Sequence, residues 1–343
     1  MQNIWYKNAV IYCLDVDTFL DGNGDGIGDF QGLAHRLDHI VGLGCTCVWL
    51  LPFYPSPDRD NGYDVADYYG VDPRLGDLGH FVEFTTLARD RGLRVIVDLV
   101  VNHTSIDHPW FQAARSSPDS PFRDFYLWSK EKPADADQGM VFPGHQETTW
   151  TWDEKAQSHY FHRFYPHQPD LNIDNPAVRE EIERIMGLWL QLGVSGFRID
   201  GAPFLIERRK EEGGPVHWHE YLEDMRNFLA WRRGDAVLLA EANIPPDEVA
   251  PYVGEGDRMN MLFDFIVNQP LFLALARGEA GPVADALKSL PELPAQCQWG
   301  SFLRNHDELD LGRLSESDRQ EVFAAFGPEP CMQIYGRGIR RRL

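Results

Sequence analysis

The sequence predicts an α/β fold with a parallel sheet. Two observations carry this: short apolar runs recur along the chain, and helical patterns lie between them. A third points to function, because polar and charged residues gather where those runs end. The runs are 9–14 (AVIYCL), 47–51 (CVWLL), 93–101 (LRVIVDLVV), 196–200 (GFRID), 237–241 (VLLAE), 261–265 (MLFDF) and 299–303 (WGSFL). They read as continuous rather than alternating, as parallel strands buried on both faces do.

Each intervening element has a local reason. Asn175-Pro176 supplies an N-cap followed by proline at the first helical position. Val178, Ile182, Ile185, Met186, Trp189 and Leu190 then recur at three- and four-residue spacing, and Gly193 offers a stop before the next strand. The connection from 101 to 196 is far too long for one strand–helix unit. Its portion 105–170, rich in Trp, Pro, His and Asp, reads as an inserted lid subdomain over the C-terminal end of the third strand. The basic end 337–343 (RGIRRRL) reads as a solvated helix face.

Composition narrows the function classes. The chain has 343 residues, 43% hydrophobic and 25% charged, which excludes a disordered or collagen-like polymer. A net charge of −21 argues against nonspecific nucleic-acid binding. There is no apolar run of spanning length and no signal-peptide pattern at the start, so the expectation is a cytoplasmic protein without a membrane partner. The sequence leaves open whether it forms a homo-oligomer. Five cysteines without a CxxC pair read as buried free thiols of a reducing compartment.

The polar residues at the strand ends form a set. Asp98, Asn102 and His103 stand in DLVVNH, Arg198 and Asp200 in GFRID, Glu241 and Asn243 in LLAEAN, and Asn305, His306 and Asp307 in FLRNHD. In a parallel barrel those ends share the face where active sites form. Arg198 and Asp200 are two apart on a strand, so both point the same way. Each charge is expensive to bury without a partner. Carboxylates, two imidazoles and an arginine, with no cysteine nucleophile and no phosphate loop, suit retaining glycoside hydrolysis. That reaction uses a carboxylate nucleophile and a second carboxyl as acid and then base, about 5 Å apart. An arginine beside the nucleophile keeps it ionised. Tyr63-Asp64, after a Pro-rich loop, adds an aromatic and a carboxylate suited to a sugar.

The stretch DGNGDGIGD has its own chemistry. Asp21, Asn23, Asp25 and Asp29 offer side-chain oxygens, and Ile27 a carbonyl, at the spacing of a calcium loop. The match to an EF-hand is incomplete, since Gly32 stands where a glutamate would close the site. A structural Ca2+ site is the expectation, against a bare Asx/Gly turn. His217-Trp218-His219 has too short a spacing for one metal and reads as exposed.

DLVVNH, GFRID, Glu241 in LLAEAN, and FLRNHD, in this order, resemble the α-amylase superfamily of glycoside hydrolases. WYKNAVIY, LLPFYPSP, NHTSIDHPWFQAARS, TWTWD, HRFYPHQPDLN and CQWGSFLRNHDEL look most like its bacterial trehalose synthase branch, and together these stretches cover nearly the whole chain. The resemblance implies a (β/α)8 TIM barrel: 1–104 as its first part, 105–170 as the lid, and 171–343 as its second part. It implies Asp200 as nucleophile, Glu241 as general acid/base and Asp307 as transition-state stabiliser. Tyr63, Asp64, His103, Arg198 and His306 would bind the glucosyl ring, with Gln168 in QPDLN. The implied substrate is an α-glucoside, maltose or a malto-oligosaccharide, and no organic cofactor is required. The implied reaction turns maltose into trehalose through a covalent glucosyl-aspartate. The alternative is a hydrolytic α-glucosidase or α-amylase, which uses the same carboxylates.

The resemblance also implies a second calcium site from Asn102, Asp170 and Glu207 with the carbonyls of Phe204 and Leu205. GFRIDGAPFLIER departs from the more usual GFRLDAVPYLYER, with Phe204 in place of Tyr, and spares the catalytic positions. Members of this family continue past NHD through a helical segment into an eighth strand and a β-sandwich. Here the sequence stops at Leu343, so the expectation is a barrel lacking its eighth strand, aggregation-prone or nearly inactive by itself, even an inactive remnant.

Overall fold

The computed structural model describes residues 4–142, 144–211 and 219–340, without the side chains of 207–211. A turn at Trp5–Asn8 leads into β1 (Ile11–Leu14), followed by β2 (Cys47–Leu50) and β3 (Arg94–Leu99). Between β3 and the next long strand, 105–170 carries the helix Pro109–Ser116 and strands β4 (Trp128–Ser129), β5 (Trp150–Asp153) and β6 (Ser158–Phe161). These three strands form a small antiparallel sheet in the order β4-β6-β5. The chain continues through β7 (Gly196–Ile199), β8 (Val237–Ala240), β9 (Met261–Phe263) and β10 (Gln298–Gly300). It ends in β11 (Leu309–Asp310), the helix Glu316–Phe326, β12 (Gln333–Ile334) and β13 (Gly338–Ile339).

Seven strands make one parallel sheet in the order β1-β2-β3-β7-β8-β9-β10. Its two outer strands are drawn toward each other by the N-terminal turn. Tyr6 donates its hydroxyl to the Gln296 carbonyl at 2.5 Å, and Lys7 reaches the carbonyl of Cys297, just before β10. Among the described residues no eighth parallel strand lies between β1 and β10.

Strand parity explains why the runs are continuous. Cys47, Trp49, Leu51, Ile96, Val237, Leu239, Met261 and Phe263 pack inward as one cluster. Their neighbours Val48, Leu50, Val95, Val97, Phe197, Ile199, Leu238, Ala240 and Leu262 pack outward, against the helices. Both faces are apolar because both are covered. Asp98, Arg198, Asp200 and Glu241 fall on the inward parity, one step past the apolar layer.

The helix Pro176–Gln191 starts on the Asn175 side chain, which accepts from the Ala177 N–H at 3.0 Å. Its Trp189 is fully buried, with ring centroids 5.0–5.4 Å from Phe53, Tyr54 and Phe81. Each fully buried side chain of this size contributes roughly 1.5–3 kcal/mol.

Several expectations change. Of the end read as a helix face, 338–339 form a short strand instead, while 341–343 lie outside the described residues. Gly338 and Ile339 pair with β11 and β12, and Ile339 packs with Leu273, Leu309, Leu311, Val322 and Phe323. Burying Ile339 outweighs the local helix propensity there. His219 is buried against Tyr252 rather than exposed, while His217 and Trp218 lie outside the described residues. All five cysteines are free thiols, but Cys331 is exposed. No described helix is long and apolar enough to cross a membrane.

Candidate active site

The site is built on adjacent strand ends. Asp98 of β3 and Arg198 of β7 are register partners, so their side chains leave the sheet side by side. Arg198 Nη1 lies 2.5 Å from Asp98 Oδ1 and 2.5 Å from Asp200 Oδ1, and Nη2 lies 2.6 Å from Glu241 Oε2. The guanidinium is 1% exposed. Its burial is tolerable because three carboxylates surround it and two rings cover it: Trp49 at 5.4 Å and Tyr63 at 5.8 Å from the guanidinium carbon.

Further donors place two of these carboxylates. Trp49 Nε1 donates to Asp98 Oδ2 at 2.9 Å, and the Gly201 N–H donates to Glu241 Oε2 at 3.2 Å. Burial pushes Glu241 up to about 7, opposed by Arg198 and reinforced by Asp200 and Asp307. Burial likewise pushes Asp200 up to about 6, opposed by Arg198. Both carboxyls are thus held above the ordinary carboxylate range, Glu241 the higher of the two.

The FLRNHD segment follows β10 and closes the other side. The Tyr63 hydroxyl is 2.6 Å from His306 Nε2, which is 3.2 Å from Asp307 Oδ2. The Tyr63 and His306 rings are stacked at 5.6 Å. His103 is fully buried, and burial pushes it down to about 4, so it is neutral. Its Nε2 faces the Tyr63 carbonyl at 3.1 Å, which can only accept, so Nε2 carries the hydrogen. Nδ1 then accepts from Asn102 Nδ2 at 3.4 Å.

Two expected sugar ligands stand apart from this cluster. The Asp64 carboxylate is fully buried in its own loop, accepting from the Ser56 hydroxyl at 3.0 Å and the Arg59 and Asp60 N–H groups at 3.3 and 3.2 Å. Gln168 Nε2 donates to Asp60 Oδ2 at 2.8 Å, tying the insertion to the loop after β2. Sequence reasoning passed over Asp60, whose neighbours Asn61-Gly62 advertise only a turn. It named Asp98 without a role and gave Trp49 only as part of the apolar run 47–51. The inward parity of both was the available signal.

For the expected calcium ligands, the Gly–Asp loop closes on itself. Asp21 accepts from the Gly24 and Gly26 N–H groups at 2.6 and 2.8 Å, and Asp25 Oδ1 from that of Ile27 at 2.8 Å. Asn23 Oδ1 accepts from the Asp25 N–H at 2.9 Å. Asp29 caps the helix Phe30–His35, accepting from the Gly32 N–H at 2.7 Å and from Gly22 and Asn23. A side chain at Gly32 would sit 2.0 Å from the Leu20 carbonyl, the reason no glutamate stands there. In the second set, Asp170 forms an antiparallel bridge with His103, and the Asn102 carbonyl accepts from the Leu171 N–H, so the two are neighbours. Phe204 and Leu205 lie near the start of the helix Ala202–Glu211, while the Glu207 side chain lies outside the described residues. Among the described residues no group of three or more His, Cys, Asp or Glu side chains could hold a metal ion.

Residues 13–325 match the alpha-amylase catalytic-domain family. Trehalose synthase of Thermus thermophilus is 45% identical over 100% of this chain and 35% of its own length. Trehalose synthase/amylase of Mycolicibacterium smegmatis is 44% identical over 99% of this chain and 58% of its own. The crystal structure of trehalulose synthase from Pseudomonas mesoacidophila superposes with a TM-score of 0.75 at 30% identity, covering 91% of this chain and 60% of that one. The chain thus spans between about a third and three-fifths of the length of these proteins.

Proposed function

The chain belongs to the alpha-amylase catalytic-domain family, and on that premise we propose that it is a retaining α-glucoside-active enzyme converting maltose to trehalose. One observation carries the reading: Arg198 joins Asp200 and Glu241 through contacts of 2.5 and 2.6 Å, with burial holding the Glu241 proton near neutral pH.

In this reading Asp200 attacks the anomeric carbon as Glu241 protonates the departing glycosidic oxygen. Glucose is released and a glucosyl-aspartate forms. Asp307 faces the charge developing on the ring. Glu241, now a carboxylate, accepts the proton of the 1-hydroxyl of the released glucose as that oxygen attacks, giving the 1,1-linked disaccharide. Attack by water instead gives two glucose molecules. The smegmatis relative, whose name carries both activities, supports keeping this hydrolytic outcome as the second reading. The insertion 105–170 acts as the lid that limits water.

The calcium-loop spacing of Asp21, Asn23, Asp25, Ile27 and Asp29 is the support for a structural Ca2+ in the Gly–Asp loop, which would draw on the Asn23 amide and the Ile27 carbonyl beside carboxylates that here accept from the loop's own N–H groups. Asn102 and Asp170 support a second one beside the insertion.

The test is to incubate the full chain with maltose and resolve the products. Trehalose is expected. Glucose alone would overturn the isomerase reading, and no turnover of maltose or of an aryl α-glucoside would overturn the enzyme reading.

A further inference from the structure

A groove of about 410 Å3 runs between the helix Pro176–Gln191 and the helix Glu220–Arg232, a volume within the range of small-molecule sites. Both helices cover the outward face of the sheet, so the groove lies on the other side of it from the inward-pointing Arg198. Glu180, Glu183, Arg184 and Gly187 line one wall, Phe228 and Arg232 the other. Trp231 follows Phe228 by three residues and is its neighbour on the helix surface. Trp231 is 91% exposed, which leaves nearly all of a large apolar ring in water at the rim of the groove. Gly187 also needs a reason, because it sits inside a 16-residue helix where glycine is a poor choice. A side chain there would meet Phe228 Cζ at 3.5 Å, an ordinary contact, so crowding does not require the glycine. Its effect is to leave the wall of the groove bare.

The polar groups around the groove select its ligand. Arg184 is already engaged by Glu181 at 2.6 Å and Glu180 at 3.6 Å, and Arg232 lies over the Phe228 ring at 5.0 Å. Glu183 has no hydrogen-bonding partner among the described residues, and burial raises its pKa, reinforced by Asp224 and Glu180 and opposed by Arg232. Tyr221, two turns before Phe228, is buried with its hydroxyl unpartnered among the described residues, in the field of Glu183 and Asp224. An acid-rich rim repels an anion. Among the described residues no group of three or more His, Cys, Asp or Glu could hold a metal ion. Charges on both walls deny a protein partner the apolar centre that an interface needs. A neutral pyranose fits: its hydroxyls donate to carboxylates, and its apolar face stacks on an aromatic ring.

We propose that this groove is a second, non-catalytic binding site for a neutral α-glucan chain, with one sugar ring stacked on Trp231 and hydroxyls of the next donating to Glu183. It goes beyond the maltose-to-trehalose reading, since no bond is made or broken here. The site would hold a long glucan on the outside of the sheet and leave the Arg198 site free for a chain end or a disaccharide.

The experiment measures retardation of the full chain in native gels of graded amylose content, which reads binding without turnover. Trp231→Ala is expected to raise the dissociation constant for amylose roughly tenfold, while kcat/KM on 4-nitrophenyl α-glucoside stays within about twofold. Trp231→Phe, which keeps an aromatic face, should lose less. Glu183→Ala should weaken binding by roughly threefold or more. No retardation of the unaltered chain, or equal retardation of Trp231→Ala, would overturn the proposal. So would a parallel loss of retardation and hydrolysis, which would mean that the substitution acts on the fold or on the Arg198 site. A Trp231→Ala chain that sediments as a smaller species with retardation unchanged would make this face a contact between copies of the chain, and would also overturn it. If the unaltered chain is retarded through Trp231 yet turns over no glucoside, the enzyme reading fails alone and the glucan site stands.

Discussion

Asp98 and Arg198 face each other across the register of β3 and β7, joined by a 2.5 Å ion pair with both side chains almost fully buried. The pair is the floor of the site, because the same guanidinium also reaches Asp200 and Glu241. Removing the cation strands three acidic groups. Arg198→Met should lower kcat on an aryl α-glucoside by roughly a hundred- to a thousandfold. It should also destabilise the fold by about 3–5 kcal/mol, since a buried partner is left unpaired. Urea unfolding measured alongside kcat checks both, and unchanged stability would refute the shared-cation account.

Two carboxyls with different needs should give a bell-shaped pH profile. Asp200, raised to about 6, must be ionised, so kcat/KM falls below that pH. Glu241, raised to about 7, must be protonated, so kcat/KM falls above it. With an aryl glucoside whose leaving group needs no proton, the alkaline limb should recede. A maltose profile flat through about pH 7 would contradict the assignment.

The same shift is a stability statement. Glu241 binds its proton more tightly folded than unfolded, because burial disfavours the anion. Its stabilising contribution is therefore full below the unfolded value of about 4.3 and is lost as pH rises through the folded value. Glu241→Gln cannot ionise and escapes that loss. Its Tm relative to the unaltered chain should climb by roughly 2–4 °C or more between about pH 5 and about pH 8. A Tm difference independent of pH would refute this.

Chelation tests the Gly–Asp loop. Restoring calcium to chelator-treated protein should raise Tm, and Asp21→Ala should blunt the response. No calcium response in the unaltered chain would leave the loop as a turn held by its own backbone donors, those of Gly24 and Gly26 among them.

Trp189 tests the outer core. Besides its aromatic neighbours, it donates Nε1 to the Tyr68 carbonyl at 2.9 Å. Trp189→Ala should cost about 3–5 kcal/mol by urea unfolding, and Trp189→Phe clearly less.

The sequence by itself determined the strands and most of the inward-facing chemistry. Apolar runs covered on both faces leave a legible signature, and side-chain parity of two puts Arg198 and Asp200 on one face wherever the strand lies. The helix from Asn175-Pro176 was legible for the same local reason. Only the tertiary structure decided who meets whom. Asp98, Arg198 and Glu241 lie far apart in sequence, and strand register alone brings them to one guanidinium. Tertiary packing also turned Asp64 into its own loop, where backbone donors satisfy it. It made 338–339 a strand, because burial of Ile339 outweighs local helix propensity. Local propensity is a short-range quantity of a few tenths of a kcal/mol per residue, roughly, while burial and charge pairing between distant segments are worth several times that.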